Sequence, residues 1–85
     1  MATTVLYFAW IKERIGTGEE HIEFSNDVST VADAIGVLKQ MSPQHADALH
    51  DMTRVRVAVD QTHVSFNASI KNAREIAFFP PVTGG

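Results

Sequence analysis

The sequence predicts an α+β fold, a small mixed sheet packed against one main helix and followed by a short extended tail. Three observations carry this. Two short apolar runs, one near each end, place apolar residues at both odd and even positions, as strands buried on both faces do. Between them Val31, Ala34, Ile35, Leu38 and Met41 fall at helical spacing and form one stripe. After the last run, Pro80-Pro81 cannot donate ladder hydrogen bonds, so the sheet must end before Val82-Thr83-Gly84-Gly85.

Residues 4–11, TVLYFAWI, are rich in aromatic and β-branched residues and have the length of a strand. Val5, Tyr7, Ala9 and Ile11 would lie on one face, and Leu6, Phe8 and Trp10 on the other. A one-sided sheet needs only one apolar face, so the second calls for a cover from this chain or a partner. Gly16-Thr17-Gly18 marks a loop, and residues 21–24, with Ile22 and Phe24 on one side, read as the second strand. Thr30 is the expected N-cap of the main helix, with Asp33 three residues on as a form of capping box near the positive end of the helix dipole. Ser42 caps a short second helix with Pro43 in its first turn, and Ala46 and Leu49 would face inward.

Val55, Val57 and Val59 alternate with Arg56 and Ala58, a half-buried strand. Asp60-Gln61-Thr62 is a turn, Val64 and Phe66 a short strand, and Ile70 a core anchor before a polar turn at 71–74. The last strand is 75–79, with Ile76 and Phe78 on one face and Ala77 and Phe79 on the other. A right-handed crossover lets this strand pair in parallel with the first, at the centre of the sheet.

With 85 residues the chain is expected to form one domain, 1–79, carrying a tail at 80–85. It has no cysteine, which removes disulfides, thiolate metal sites and cysteine nucleophiles. The net charge is −3 and the seven basic residues are scattered, which speaks against nucleic acid. No apolar run reaches membrane-spanning length and the N-terminus lacks a signal-peptide pattern, so a cytoplasmic location is expected. His21, His45, His50 and His63 form no metal-ligand spacing, no serine sits in a nucleophile elbow, and Gly16-Thr17-Gly18 lacks the lysine of a phosphate loop. A catalytic constellation, a metal and a bound cofactor are therefore all unexpected.

The tail is the distinctive feature. Two prolines give a stiff, extended segment, and fully stretched residues 80–85 reach at most roughly 20 Å. Gly84-Gly85 has no side chains, so it can thread a narrow channel. A carboxylate at Gly85 is a poor electrophile, but once adenylated it is open to attack by sulfur, nitrogen or oxygen.

Residues 58–66 (AVDQTHVSF), 75–85 (EIAFFPPVTGG) and the segment from Val5-Leu6-Tyr7-Phe8-Ala9 to Arg14-Ile15-Gly16 resemble the small subunits of molybdopterin synthase. These are sulfur carriers with the ubiquitin-like β-grasp fold, and in outline the resemblance covers the whole chain. It implies that an ATP-dependent activating enzyme adenylates Gly85 and that sulfur from a donor protein displaces AMP, leaving a thiocarboxylate. The tail then enters the synthase large subunit and gives its sulfur to a pyranopterin precursor, toward the dithiolene of the molybdenum cofactor. The assembly would be a heterotetramer whose catalytic groups lie on the large subunit. Phe8 and Phe79 would belong to the surface that meets the large subunit, with Pro80, Pro81, Val82 and Thr83 leading into it and Gly84 giving the tail its slimness.

The chain departs from the family pattern in three places. Asp60 replaces a common Asn, His63 stands where relatives often carry an apolar residue, and Asn72-Ala73 replaces Asp-Gly. The alternatives are a related carrier for thiamine synthesis or tRNA thiolation, a protein-conjugating modifier, and a plain interaction module.

Overall fold

The first and last strands lie side by side at the heart of the sheet. The computed structural model describes residues 2–81. It contains β1 (Thr3–Tyr7), α1 (Ala9–Ile15), β2 (Glu19–Ile22), α2 (Val31–Lys39), α3 (Pro43–Ala48), a 3-10 turn (Met52–Arg54), β3 (Arg56–Val59), β4 (Thr62–Val64) and β5 (Glu75–Phe79). The strand order is β2-β1-β5-β3-β4. β5 runs parallel to β1, with Val5 opposite Ile76 and Tyr7 opposite Phe78. The other pairings are antiparallel. This is the expected α+β, β-grasp arrangement, with the central parallel pair where the apolar patterning placed it.

One face of the sheet carries the core. Val5, Tyr7, Val57, Ile76 and Phe78 are buried there against Val31, Ala34, Ile35 and Leu38 of α2. Thr30 caps this helix as expected. Its side chain accepts from the Asp33 N–H at 3.2 Å, and the Asp33 carboxylate accepts from the Thr30 and Ser29 N–H groups. Those bonds hold the Asp33 carboxyl below its usual range. Ser42 caps α3, accepting from the His45 N–H at 3.1 Å, with Pro43 in the first turn.

Several expectations are corrected. The run 4–11 is not one strand: β1 stops at Tyr7 and α1 begins at Ala9, which has φ 55°. Ile11 and Ile15, four apart, are buried, so the second half of the run follows a helical period. Gly16 ends this helix at φ 99°, its N–H bonded to the Lys12 carbonyl at 2.8 Å, and is a C-cap where a side chain would be strained. The second strand is two residues earlier than 21–24, because Glu20 must face Val5. Phe66 leaves the sheet after Val64, and its carbonyl accepts from Ala32 N–H at the start of α2. Met41 lies beyond the helix and is exposed. Ala46 is only half-buried, and His45 and Ala48 take the inward positions of α3, followed by Leu49.

His45 is buried because it completes a polar network. The Tyr7 hydroxyl donates to Glu20 Oε1 at 2.7 Å, and His45 Nε2 lies 2.8 Å from the same oxygen. An ionised carboxylate only accepts, so a proton on Nε2 makes this contact, while Nδ1 lies 2.7 Å from the Ser42 hydroxyl oxygen. The network ties β1, β2 and α3 together, and among the described residues no buried side-chain polar atom lacks a partner. Burial, then the hydrogen bond and negative charge of Glu20, push the Tyr7 hydroxyl far above its usual pKa.

Two predictions follow from these contacts. An unfolded tyrosine ionises near pH 10, whereas folded Tyr7 resists ionisation, so its contribution is full below about pH 10 and lost as pH rises above it. Tyr7→Phe should cost about 1 kcal/mol at pH 7 and flatten the alkaline fall in stability, read by urea unfolding between neutral and alkaline pH. At the β3–β4 turn, Asp60 and Gln61 have φ 48° and 71°. The Asp60 carboxylate accepts from the Arg74 and Glu75 N–H groups at 2.9 and 3.0 Å. Asn offers the same oxygen and tolerates this backbone, so Asp60→Asn should unfold like wild type. Asp60→Ala should lose about 1–2 kcal/mol in the same assay.

Candidate functional site

The tail leaves the sheet beside the end of β1. Because β1 and β5 are parallel, both point the same way, and the Phe8 N–H donates to the Phe78 carbonyl at 3.1 Å. Phe8, Phe79, Pro80 and Pro81 therefore gather at one end of the domain. Phe8 is 47% exposed, and Phe79, Pro80 and Pro81 are half-buried. Val82, Thr83, Gly84 and Gly85 lie outside the described residues.

The sheet face opposite the helices is apolar at its middle, where Ala58 and Ala77 are buried and Leu6 is half-buried, and it becomes exposed toward Phe8. Side-chain alternation puts Leu6, Ala77 and Ala58 there in adjacent registers, with Leu6 opposite Ala77 and Ala77 opposite Ala58. Phe79 continues this face opposite Arg56, and His63 sits opposite Ala58 on the exposed edge strand. The His63 and Phe79 rings stand 5.0 Å apart, tilted at 48°. The first strand's second apolar face is thus uncovered by the chain itself at Leu6 and Phe8. Phe8 and Phe79, expected on one surface, are brought together; Trp10, expected beside Phe8, is carried away on α1.

Trp10 is a feature that strand periodicity concealed. The guanidinium groups of Arg14 and Arg54 each lie 5.0 Å from the centre of its ring. With Thr53, Arg54, Pro80 and Pro81 it lines a groove of about 290 Å³ at the root of the tail. The spacing of Trp10 and Arg14, four apart, was the available signal. Among the described residues no cluster of His, Asp or Glu is arranged to hold a metal, and no helix is long and apolar enough to cross a membrane.

The domain is a scaffold that presents an apolar sheet face and a proline-led tail at the same end. The family described as the ThiS family matches residues 5–85, through to the final glycine. The chain belongs to this family. The molybdopterin synthase sulfur carrier subunit of Escherichia coli is 41% identical over 81 residues, covering 95% of this chain and 96% of that protein. The subunit of the same name in Dictyostelium discoideum is 37% identical over 83 residues, covering 95% and 93%. A protein of Pyrococcus furiosus described as molybdopterin converting factor, subunit 1, has the same fold, with a TM-score of 0.76, 28% identity and coverage of 96% and 99%. SAMP1 of Haloferax volcanii superposes over all of both chains with a TM-score of 0.78 at 21% identity, a likeness of fold.

Proposed function

We propose that this protein is the sulfur-carrier subunit of a molybdopterin synthase and that Gly85 is the carrying residue. The observation that supports this most is the match to carriers of that name over 95% of the chain, within a family match that includes Gly84 and Gly85. The geometry of the described residues agrees with it, since tail root and apolar sheet face share one end of the domain.

The chemistry follows from the terminal carboxylate. An activating enzyme joins it to AMP, with pyrophosphate leaving from ATP; a persulfide of a donor protein displaces AMP to give an acyl disulfide, and a thiol then cleaves the S–S bond to leave the thiocarboxylate. The chain itself binds no cofactor in this scheme. Gly84 and Gly85 pass through a channel too narrow for side chains, while Val82 and Thr83 lie against its walls. The large subunit covers Phe8, Phe79, Pro80 and Pro81, supplies the acid–base groups and positions the pyranopterin precursor. A pair of each subunit makes the heterotetramer, in the cytoplasm. Catalytic machinery on the partner explains why this chain can be a small domain without an enclosed active site.

Intact mass after incubation with the activating enzyme, ATP and a sulfur source tests the carrier step. The expected gain equals exchange of one oxygen for sulfur, and it should vanish when Gly85 is deleted. An unchanged wild-type mass would remove the mechanism. Docking is tested separately by Phe8→Ser. Phe8 supports no core contact, so stability should stay within about 0.5 kcal/mol of wild type, while affinity for the large subunit falls about ten-fold or more. Equal affinity by calorimetry would place the interface elsewhere.

A further inference from the structure

Resting on that reading, we infer that the Trp10–Arg54 groove at the root of the tail is a second docking point, which takes an acidic side chain of the large subunit. The groove combines an indole, two proline rings and a guanidinium. The two guanidinium groups near the Trp10 ring are unequally engaged, and only Arg54 lines the groove. Arg14 pairs with Asp47 at 3.7 Å. The Arg54 backbone N–H donates to the Asp51 carbonyl at 3.1 Å, but its guanidinium makes no hydrogen bond or ion pair among the described residues, and the Asp51 carboxylate acts on it only through space. Arg54 therefore offers the planar fork of donors that a carboxylate matches. Stacking on Trp10 holds that fork in place, which lowers the rotamer entropy lost on pairing.

The position decides the occupant. Gly85 lies four residues beyond Pro81, and that span is at most about 14 Å when extended. A protein that closes around the Gly85 carboxylate must therefore bring its surface to Pro80 and Pro81, which form one wall of this groove. The surface that arrives there meets a cation on a chain whose net charge is −3, and a carboxylate is the complementary group. An apolar side chain beside that carboxylate would cover Trp10 and exclude water from the pair. The sheet face supplies apolar docking, and this groove adds orientation, fixing the domain's rotation about the tail.

The test uses the full chain and its large subunit. Arg54 is exposed in the 3-10 turn, and thermal melts verify that its variants fold. Arg54→Glu should weaken binding about ten-fold or more at low salt and reduce the salt dependence, while Arg54→Lys should retain most of the affinity. In the Arg54→Lys complex, a zero-length carbodiimide should couple the new amine to an Asp or Glu of the large subunit, mapped by mass spectrometry. Binding of Arg54→Glu within two-fold of wild type would overturn the inference. So would coupling at position 54 found only within the chain or to a second copy of it. If the wild-type chain fails to bind the large subunit at all, the carrier reading falls first and this inference with it. Binding through Phe8 that is indifferent to Arg54 sinks this inference alone.

Discussion

The parallel pairing of β1 with β5 is the constraint on which the rest of the molecule depends. Parallel neighbours cannot be joined by a tight turn, so the helices and the other strands must lie between them in sequence. The pair occupies the centre, with β2 on one flank and β3-β4 on the other. Each member needs apolar residues on both faces, which is why Leu6 and Ala77 face each other on the side without helices. Parallel direction also brings the end of β1 and the root of the tail together. Antiparallel pairing in the same place would send Phe8 to the opposite end of the sheet from Pro80.

A second constraint comes from size. A domain this small buries a modest share of its surface and has no cysteine to staple its periphery. The outer elements are instead held by specific polar contacts. Glu20 on the edge strand β2 is tied to Tyr7 at the centre and to His45 on α3, and Ser42 both caps α3 and orients the imidazole. Replacing Glu20 would strand both Tyr7 and His45, since a buried donor without a partner costs more than the bond contributes. At the other flank, Asp60 holds the β3–β4 turn to the start of β5 through two backbone N–H groups.

What was legible in the sequence was mostly local. The last strand, the Thr30–Asp33 capping box, the Ser42-Pro43 start and the left-handed Asn72, at φ 63°, depend on residues close in the chain. The central parallel pair was legible because burial on both faces leaves a compositional mark. The failures have separate causes. The segment from Phe8 to Ile11 is apolar at every position, so neither a period of two nor one of 3.6 can be read from it. Its helix is set by Ile15 and by Gly16 further on. Nothing in the sequence marked the buried place of His45, because its partner Glu20 is 25 positions away. The Trp10 groove needs residues from α1, the 3-10 turn and the tail root, which no window of the sequence brings together. The roles of Val82 to Gly85 rest on motif and chemistry, since those residues lie outside the described part of the structure.

On the proposed reading, carriage and catalysis belong on different chains. A carboxylate that had to visit an activating enzyme, a sulfur donor and an acceptor could not be enclosed by the fold that carries it. The domain must instead be recognised from outside by each visitor, at a place close enough to the tail to govern its entry. Apolar area alone does this poorly, because hydrophobic contact is non-directional and a face made of Leu6, Ala77 and Phe79 could be met in several rotations. A charged fork braced on an indole at the point where the tail departs is directional. In the proposed docking it would convert a patch that merely sticks into one with a single productive orientation, which is what delivery of one atom to one carbon requires.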